Sequence, residues 1–104
     1  EVEAAAVPGE YALDDCYPNP FNPTTTIRFS IPAHVGTVPV TLAVFNNVGQ
    51  RIQTLVASEL APGQYSATWD GTDASGQQVA SGVYLYRLHA GQDFVASKQM
   101  TLAK

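Results

Sequence analysis

The chain has 104 residues, 45% of them hydrophobic and 13% charged, with a net charge of −4. That length and balance suit one globular domain with a modest core, and not two. An acidic chain without a basic stripe argues against electrostatic binding of nucleic acid or docking onto an anionic membrane surface.

A single cysteine, Cys16, cannot close an internal disulfide. No apolar run approaches a membrane span, so no membrane insertion is expected. The chain opens without Met and reads as the C-terminal piece of a longer protein. Residues 1–10, "EVEAAAVPGE", are alanine-rich and then broken by Pro8 and Gly9. So short an alanine run does not stand alone as a helix, and the stretch reads as a linker to an upstream domain. The folded domain is expected over residues 11–104.

From Tyr11 the pattern is that of strands. Ile27, Phe29 and Ile31 alternate with Arg28 and Ser30, and Val40, Leu42 and Val44 alternate with Thr41 and Ala43. "NNVG" supplies turn residues, and "QRIQTLV" continues as a less regular strand. In "QYSATW", Tyr65, Ala67 and Trp69 share one face. "VYLYRLH" is apolar on both faces, which suits a central strand, with Tyr84, Tyr86 and Leu88 in one phase. At the end, Phe94, Ala96, Met100 and Leu102 are in phase, and the 8 glycines fall between or at the edges of these runs. About seven short strands with regular turn signals predict an all-β fold, an Ig-like antiparallel β-sandwich. Its expected core comprises Ile27, Phe29, Leu42, Val44, Tyr65, Trp69, Tyr84 and Tyr86.

The stretch "CYPNPFNPTT" departs from this pattern. Pro18, Pro20 and Pro23 fix φ, remove donors and push Tyr17, Asn19 and Asn22 toward extended conformations. The segment is expected to be a polyproline-like strut, unfit for a central strand, with Tyr17 and Phe21 as aromatic anchors. It serves either as protection of a first edge strand or as a docking element.

Catalytic and metal chemistry find little support. Asp70 and Asp73 in "DGTDASG" miss the spacing of a calcium loop and read as turn formers. His34 and His89 have no ligand spacing, and no nucleophile motif frames any Ser, His and Asp. Asp14 and Asp15 point to different faces if extended, a poor arrangement for paired acid and base. Cys16 has no basic residue flanking it and reads as an inert side chain rather than a nucleophile. No cofactor is expected, and enzymatic activity is not.

"VPGEYALDDCYPNPFNPTTTIRFSIP", "VTLAVFNNVGQRIQTLV", "APGQYSATWDGTDASGQQVASGVYLYRL" and the terminal "KQMTLAK" together resemble the C-terminal sorting domain, type A, of type IX secretion cargo proteins. The middle portion is equally similar to the Ig-like domain of the flagellar hook-capping protein. The resemblance marks Pro18, Asn19 and Pro20 as the opening motif, Gly82 and Tyr84 as a Gly-x-Tyr motif, and Lys98 and Lys104 as basic positions of the terminal strand. Cys16 departs from it, standing where an asparagine is more usual. It implies a domain that routes an attached cargo from the periplasm through an outer-membrane translocon to the cell surface or exterior. A sortase-like peptidase then cleaves it off upstream.

A stiff strut beside a bare final strand suits docking, with edge-strand addition as one mode. Lys98 lies in phase with apolar neighbours. Its stem snorkels, or a bulge shifts the phase, or the side chain faces a partner. A structural hook-cap domain, or a sugar-binding module stacking on Trp69, Tyr84 and Tyr86, are the competing readings.

Overall fold

Two-residue alternation, with β-branched and aromatic residues on one side, makes each strand bury one face and wet the other. A computed structural model describes residues 9–92 and 94–103. Among them are seven strands: β1 (Ala12–Leu13), β2 (Thr25–Ile31), β3 (Val38–Phe45), β4 (Arg51–Leu60), β5 (Gly63–Trp69), β6 (Gly82–Ala90) and β7 (Phe94–Leu102). A 3₁₀ turn, Ala33–Val35, joins β2 to β3. The strands form two antiparallel sheets, ordered β1-β2-β5 and β4-β3-β6-β7. This is the Ig-like sandwich expected from the alternation.

Both sheets turn their apolar faces inward. Ile27, Phe29 and Ile31 of β2 meet Val40, Leu42 and Val44 of β3 and Tyr86 and Leu88 of β6 in one core. Burying each such side chain contributes about 1.5–3 kcal/mol, which is how so short a chain holds together without a disulfide. Trp69, 1% exposed, fills one end of that core. Its ring lies 5.6 Å from Phe21 and 5.3 Å from Tyr84, and its Nε1–H donates to the Thr72 carbonyl at 2.8 Å. As the two apolar faces of its sequence predict, β6 is central, paired with β3 on one side and β7 on the other.

Tyr65 departs from the expected core and is only half-buried. It belongs to β5, at the edge of the smaller sheet, so its ring reaches the rim of the sandwich. There it stacks on Phe29 at 5.5 Å and donates its hydroxyl to the Ala61 carbonyl. Of the expected linker, residues 1–8 lie outside the described residues; Gly9 and Glu10 are exposed and belong to no strand.

The edges of the sheets differ. β1 is two residues long, and β4 pairs with β3 through register shifts between Leu42 and Ala43 and between Val44 and Phe45. Short or irregular edges resist pairing with foreign strands. β7 is neither: its register with β6 runs unbroken from Ala90–Phe94 to Gly82–Leu102.

Candidate recognition surface

The proline segment is not the straight strut expected. It bends at residues 18–20 and 22–23, and its three X-Pro bonds, Tyr17-Pro18, Asn19-Pro20 and Asn22-Pro23, are cis. Attachments to both sheets explain the course of the chain. Tyr17 pairs with Thr26 of β2 through reciprocal backbone bonds of 3.0 Å, and Phe21 bridges to Leu102 of β7. Phe21 is 1% exposed and packs on Trp69, whereas Tyr17 is 79% exposed. Phe21 is therefore an anchor, and Tyr17 anchors only through its backbone. Burying the Phe21 ring draws the segment across the open side of the sandwich, from one sheet to the other.

This crossing alters the final strand. The Phe21 N–H donates to the Thr101 carbonyl at 2.9 Å, and the Ala103 N–H donates to the Phe21 carbonyl at 2.8 Å. Asn19 completes the contact, its Oδ1 accepting the Thr101 N–H at 2.9 Å. Beneath it, the Thr25 hydroxyl donates to the Pro18 carbonyl at 2.7 Å. The terminal strand, expected to be bare, is thus covered at its C-terminal end. Pro18 and Pro20 stay exposed on the outside of this clasp.

Lys98 keeps its inward phase. No bulge interrupts β7, so the phase-shift explanation fails. Its ammonium instead reaches Asp15 Oδ1 at 3.2 Å at the rim, while its stem runs along the apolar inner face. Asp15 was legible only as half of an acidic pair; nothing local in the sequence connects it to Lys98. Lys104 lies outside the described residues.

Gly82 and Tyr84 have structural work to do. Gly82 opens β6 at φ 148°, a conformation that side chains other than glycine rarely adopt, with open space around it. Tyr84, 7% exposed, donates its hydroxyl to the Ala80 carbonyl at 2.6 Å, four residues back. A tyrosine at the start of a strand bonding to backbone just upstream is the tyrosine corner of immunoglobulin-like sandwiches. Little of its side chain is left for a partner to read. Tyr86 is fully buried, and its hydroxyl donates to the Asp14 carbonyl at 2.7 Å, joining the two halves of the sandwich. Burial pushes the hydroxyls of both tyrosines above their ordinary range, that of Tyr86 further.

With Trp69, Tyr84 and Tyr86 all buried, none forms a platform on which sugars could stack. Asp70 Oδ1 accepts from the N–H and hydroxyl of Thr72, and Asp73 Oδ1 from Ser75 and from the Gln77 N–H. The Ser75 hydroxyl, then the Gln77 N–H, hold the Asp73 carboxyl below its ordinary range. Both aspartates are turn acceptors, as expected. His34 and His89 are exposed, and among the described residues no three His, Cys, Asp or Glu converge as a metal site would require. Cys16 is buried in the core.

One feature of the outer face escaped the sequence. A depression of about 270 Å³ lies across the larger sheet, lined by Phe45, Gly49, Leu85, Arg87 and Ser97. The Arg87 guanidinium stands over the Phe45 ring, 4.6 Å from its centroid. In the sequence Arg87 is only the polar member of an alternating strand, and the aromatic beneath it comes from β3.

Two antiparallel sheets in this strand order, tied by a tyrosine corner at the start of β6, define an immunoglobulin-like domain. The chain belongs to the FlgD Ig-like domain family, whose model matches residues 20–93. No curated protein matches it. Among solved structures it is similar to dimeric latent PorU from Porphyromonas gingivalis, with a TM-score of 0.69 at 19% identity over 89% of this chain and 9% of that one. It is also similar to PorZ, an essential surface component of the type IX secretion system of P. gingivalis, with a TM-score of 0.58 at 18% identity over 99% of this chain and 13% of that one. A third likeness is to the alkylpurine DNA glycosylase AlkC of Pseudomonas fluorescens, bound to DNA, with a TM-score of 0.59 at 14% identity over 99% of this chain and 33% of that one. At these identities the likeness is one of fold, and the chain spans a third or less of each of the three.

Proposed function

We propose that this domain is a C-terminal sorting domain. It directs an attached upstream cargo from the periplasm through the type IX translocon, and a sortase-like peptidase then removes it, leaving the cargo outside the cell or on its surface. One observation carries the reading: the proline motif and the terminal strand, the two sequence elements most like a sorting domain, meet in a single clasp through Asn19, Phe21, Thr101 and Ala103. A translocon can then read both as one surface. The fold shared with PorZ supports the same direction. The role is that of a label, without catalysis or cofactor.

The family match favours a second reading, a structural domain of a flagellar hook cap. A reporter fused to residues 1–104 in a host with type IX secretion separates the two. Export of the reporter, and its retention in the periplasm when β7 is deleted, is the outcome expected of a sorting domain. Full export without β7 would sink the sorting role.

A further inference from the structure

Thr101 directs its N–H and carbonyl away from β6, toward Asn19 and Phe21. Backbone groups alternate along a strand, and the register of β7 is unbroken. Val95, Ser97 and Gln99 therefore aim their N–H and carbonyl groups out of the sheet in the same direction. Among the described residues no backbone group outside the sheet meets them. The molecule already shows that this edge accepts a chain, since Phe21 docks on it at Leu102. The usual protections are missing: β7 has no proline and no bulge, and its single lysine is turned toward Asp15.

Charge indicates what the edge would take. The protein is acidic overall, with 9 Asp and Glu against 5 Lys and Arg. Yet β6 and β7 carry no acid at all, and with Lys98 already paired to Asp15 the cation left on their outer face is Arg87. Arg87 has no carboxylate partner among the described residues, and its depression extends to Ser97 on the edge strand. β5 is also a regular edge, but none of its residues is charged.

We infer that the edge of β7 from Val95 to Gln99 binds an extended acidic peptide strand, with one acidic side chain opposite Ser97 reaching over the outer face toward Arg87. The Asn19–Phe21 clasp sets the length, stopping the added strand before Thr101 and leaving room for about five residues. So short an edge suits a peptide better than a second copy, whose own β7 edge would bring another Arg87 and no carboxylate to meet this one. The inference rests on the docking part of the sorting proposal, that a partner reads this end of the sandwich, and not on export itself.

The test uses the whole chain and the peptide Thr-Val-Glu-Val-Thr-amide, with fluorescein on its N-terminus for anisotropy and an acetyl group there for amide chemical shifts. Saturable binding is expected, with the largest shifts at Val95, Ser97 and Gln99. Replacing the central Glu by Lys, or making Arg87→Gln, should weaken binding about tenfold, the loss of one charge-assisted contact. N-methylating the peptide at alternate positions leaves the protein untouched: one set should abolish binding and the other leave it intact. Absence of saturation, shifts confined to other strands, or binding that is indifferent to both N-methylated sets would overturn the site. Sedimentation showing that β7 pairs with a second copy instead would overturn the choice of occupant. Peptide binding that persists in a domain failing export would leave this site standing and remove only the sorting role.

Discussion

Asn19 Oδ1 accepts the backbone N–H of Thr101, 82 residues later in the chain, at 2.9 Å. That bond, with the two backbone bonds of Phe21, fastens the proline motif to the end of β7. Removing one exposed hydrogen bond costs only about 0.5–1.5 kcal/mol, because water replaces the lost partner. Asn19→Ala should therefore leave global unfolding nearly unchanged while hydrogen exchange at Thr101 and Ala103 accelerates. Asn19→Asp keeps the acceptor and should keep the protection. Equal exchange in all three proteins would show that the clasp does not depend on Asn19.

Trp69 joins the clasp to the core, touching Phe21 on one side and Tyr84 on the other. Trp69→Ala should cost about 3–5 kcal/mol in urea unfolding, enough to unfold a domain of marginal stability. Trp69→Phe retains much of the packing and loses the Nε1–H bond to Thr72, so it should fall between the two. Cooperative unfolding of Trp69→Ala at the wild-type midpoint would contradict the placement of this ring.

Tyr86 makes alkaline stability predictable in sign. Burial raises its pKa above the ordinary 10.0, so the folded protein keeps the proton where the unfolded chain loses it. The stabilisation is complete below the unfolded value and declines as pH rises beyond it. The unfolding free energy from urea titrations should hold steady through neutrality and fall above about pH 10, by up to about 1.4 kcal/mol per pH unit for each such tyrosine. Tyr86→Phe should flatten that decline while losing the bond to Asp14. An unchanged slope would place the titration elsewhere.

Lys98 and Asp15 form an ion pair at the rim, with the Asp15 side chain largely exposed. Pairs in such surroundings contribute about 0–1 kcal/mol and weaken with salt. A double-mutant cycle of Lys98→Met and Asp15→Asn should give a coupling in that range, shrinking as NaCl is raised. Because the Lys98 stem lies on the apolar inner face, Lys98→Met should be tolerated. A coupling that is large and insensitive to salt would mean the pair is far better shielded than its exposure indicates.

Much of the fold is legible in the sequence because burial in a strand follows a local rule. Ile27, Phe29 and Ile31, Val40, Leu42 and Val44, and the β6 tyrosines all occupy the faces that their spacing predicts. Tyr65 shows where the rule stops: its phase is inward, but the exposure of an inward residue depends on whether its strand is central or at an edge. The proline segment shows the same limit. Its composition excludes it from the middle of a sheet, but does not say that Phe21 will be drawn across to Trp69.

By itself, then, the sequence determined the strands, their inward faces and the points where the chain turns, since these depend on neighbours two residues apart. Tertiary structure alone decided the clasp of Asn19 and Phe21 on β7, the reach of Lys98 to Asp15, the stacking of Arg87 on Phe45, and which edge stays open. Those contacts join residues distant in sequence, and many of them run through backbone groups that every residue carries alike. A pattern of side chains does not specify such pairings until the two sheets have closed around their core.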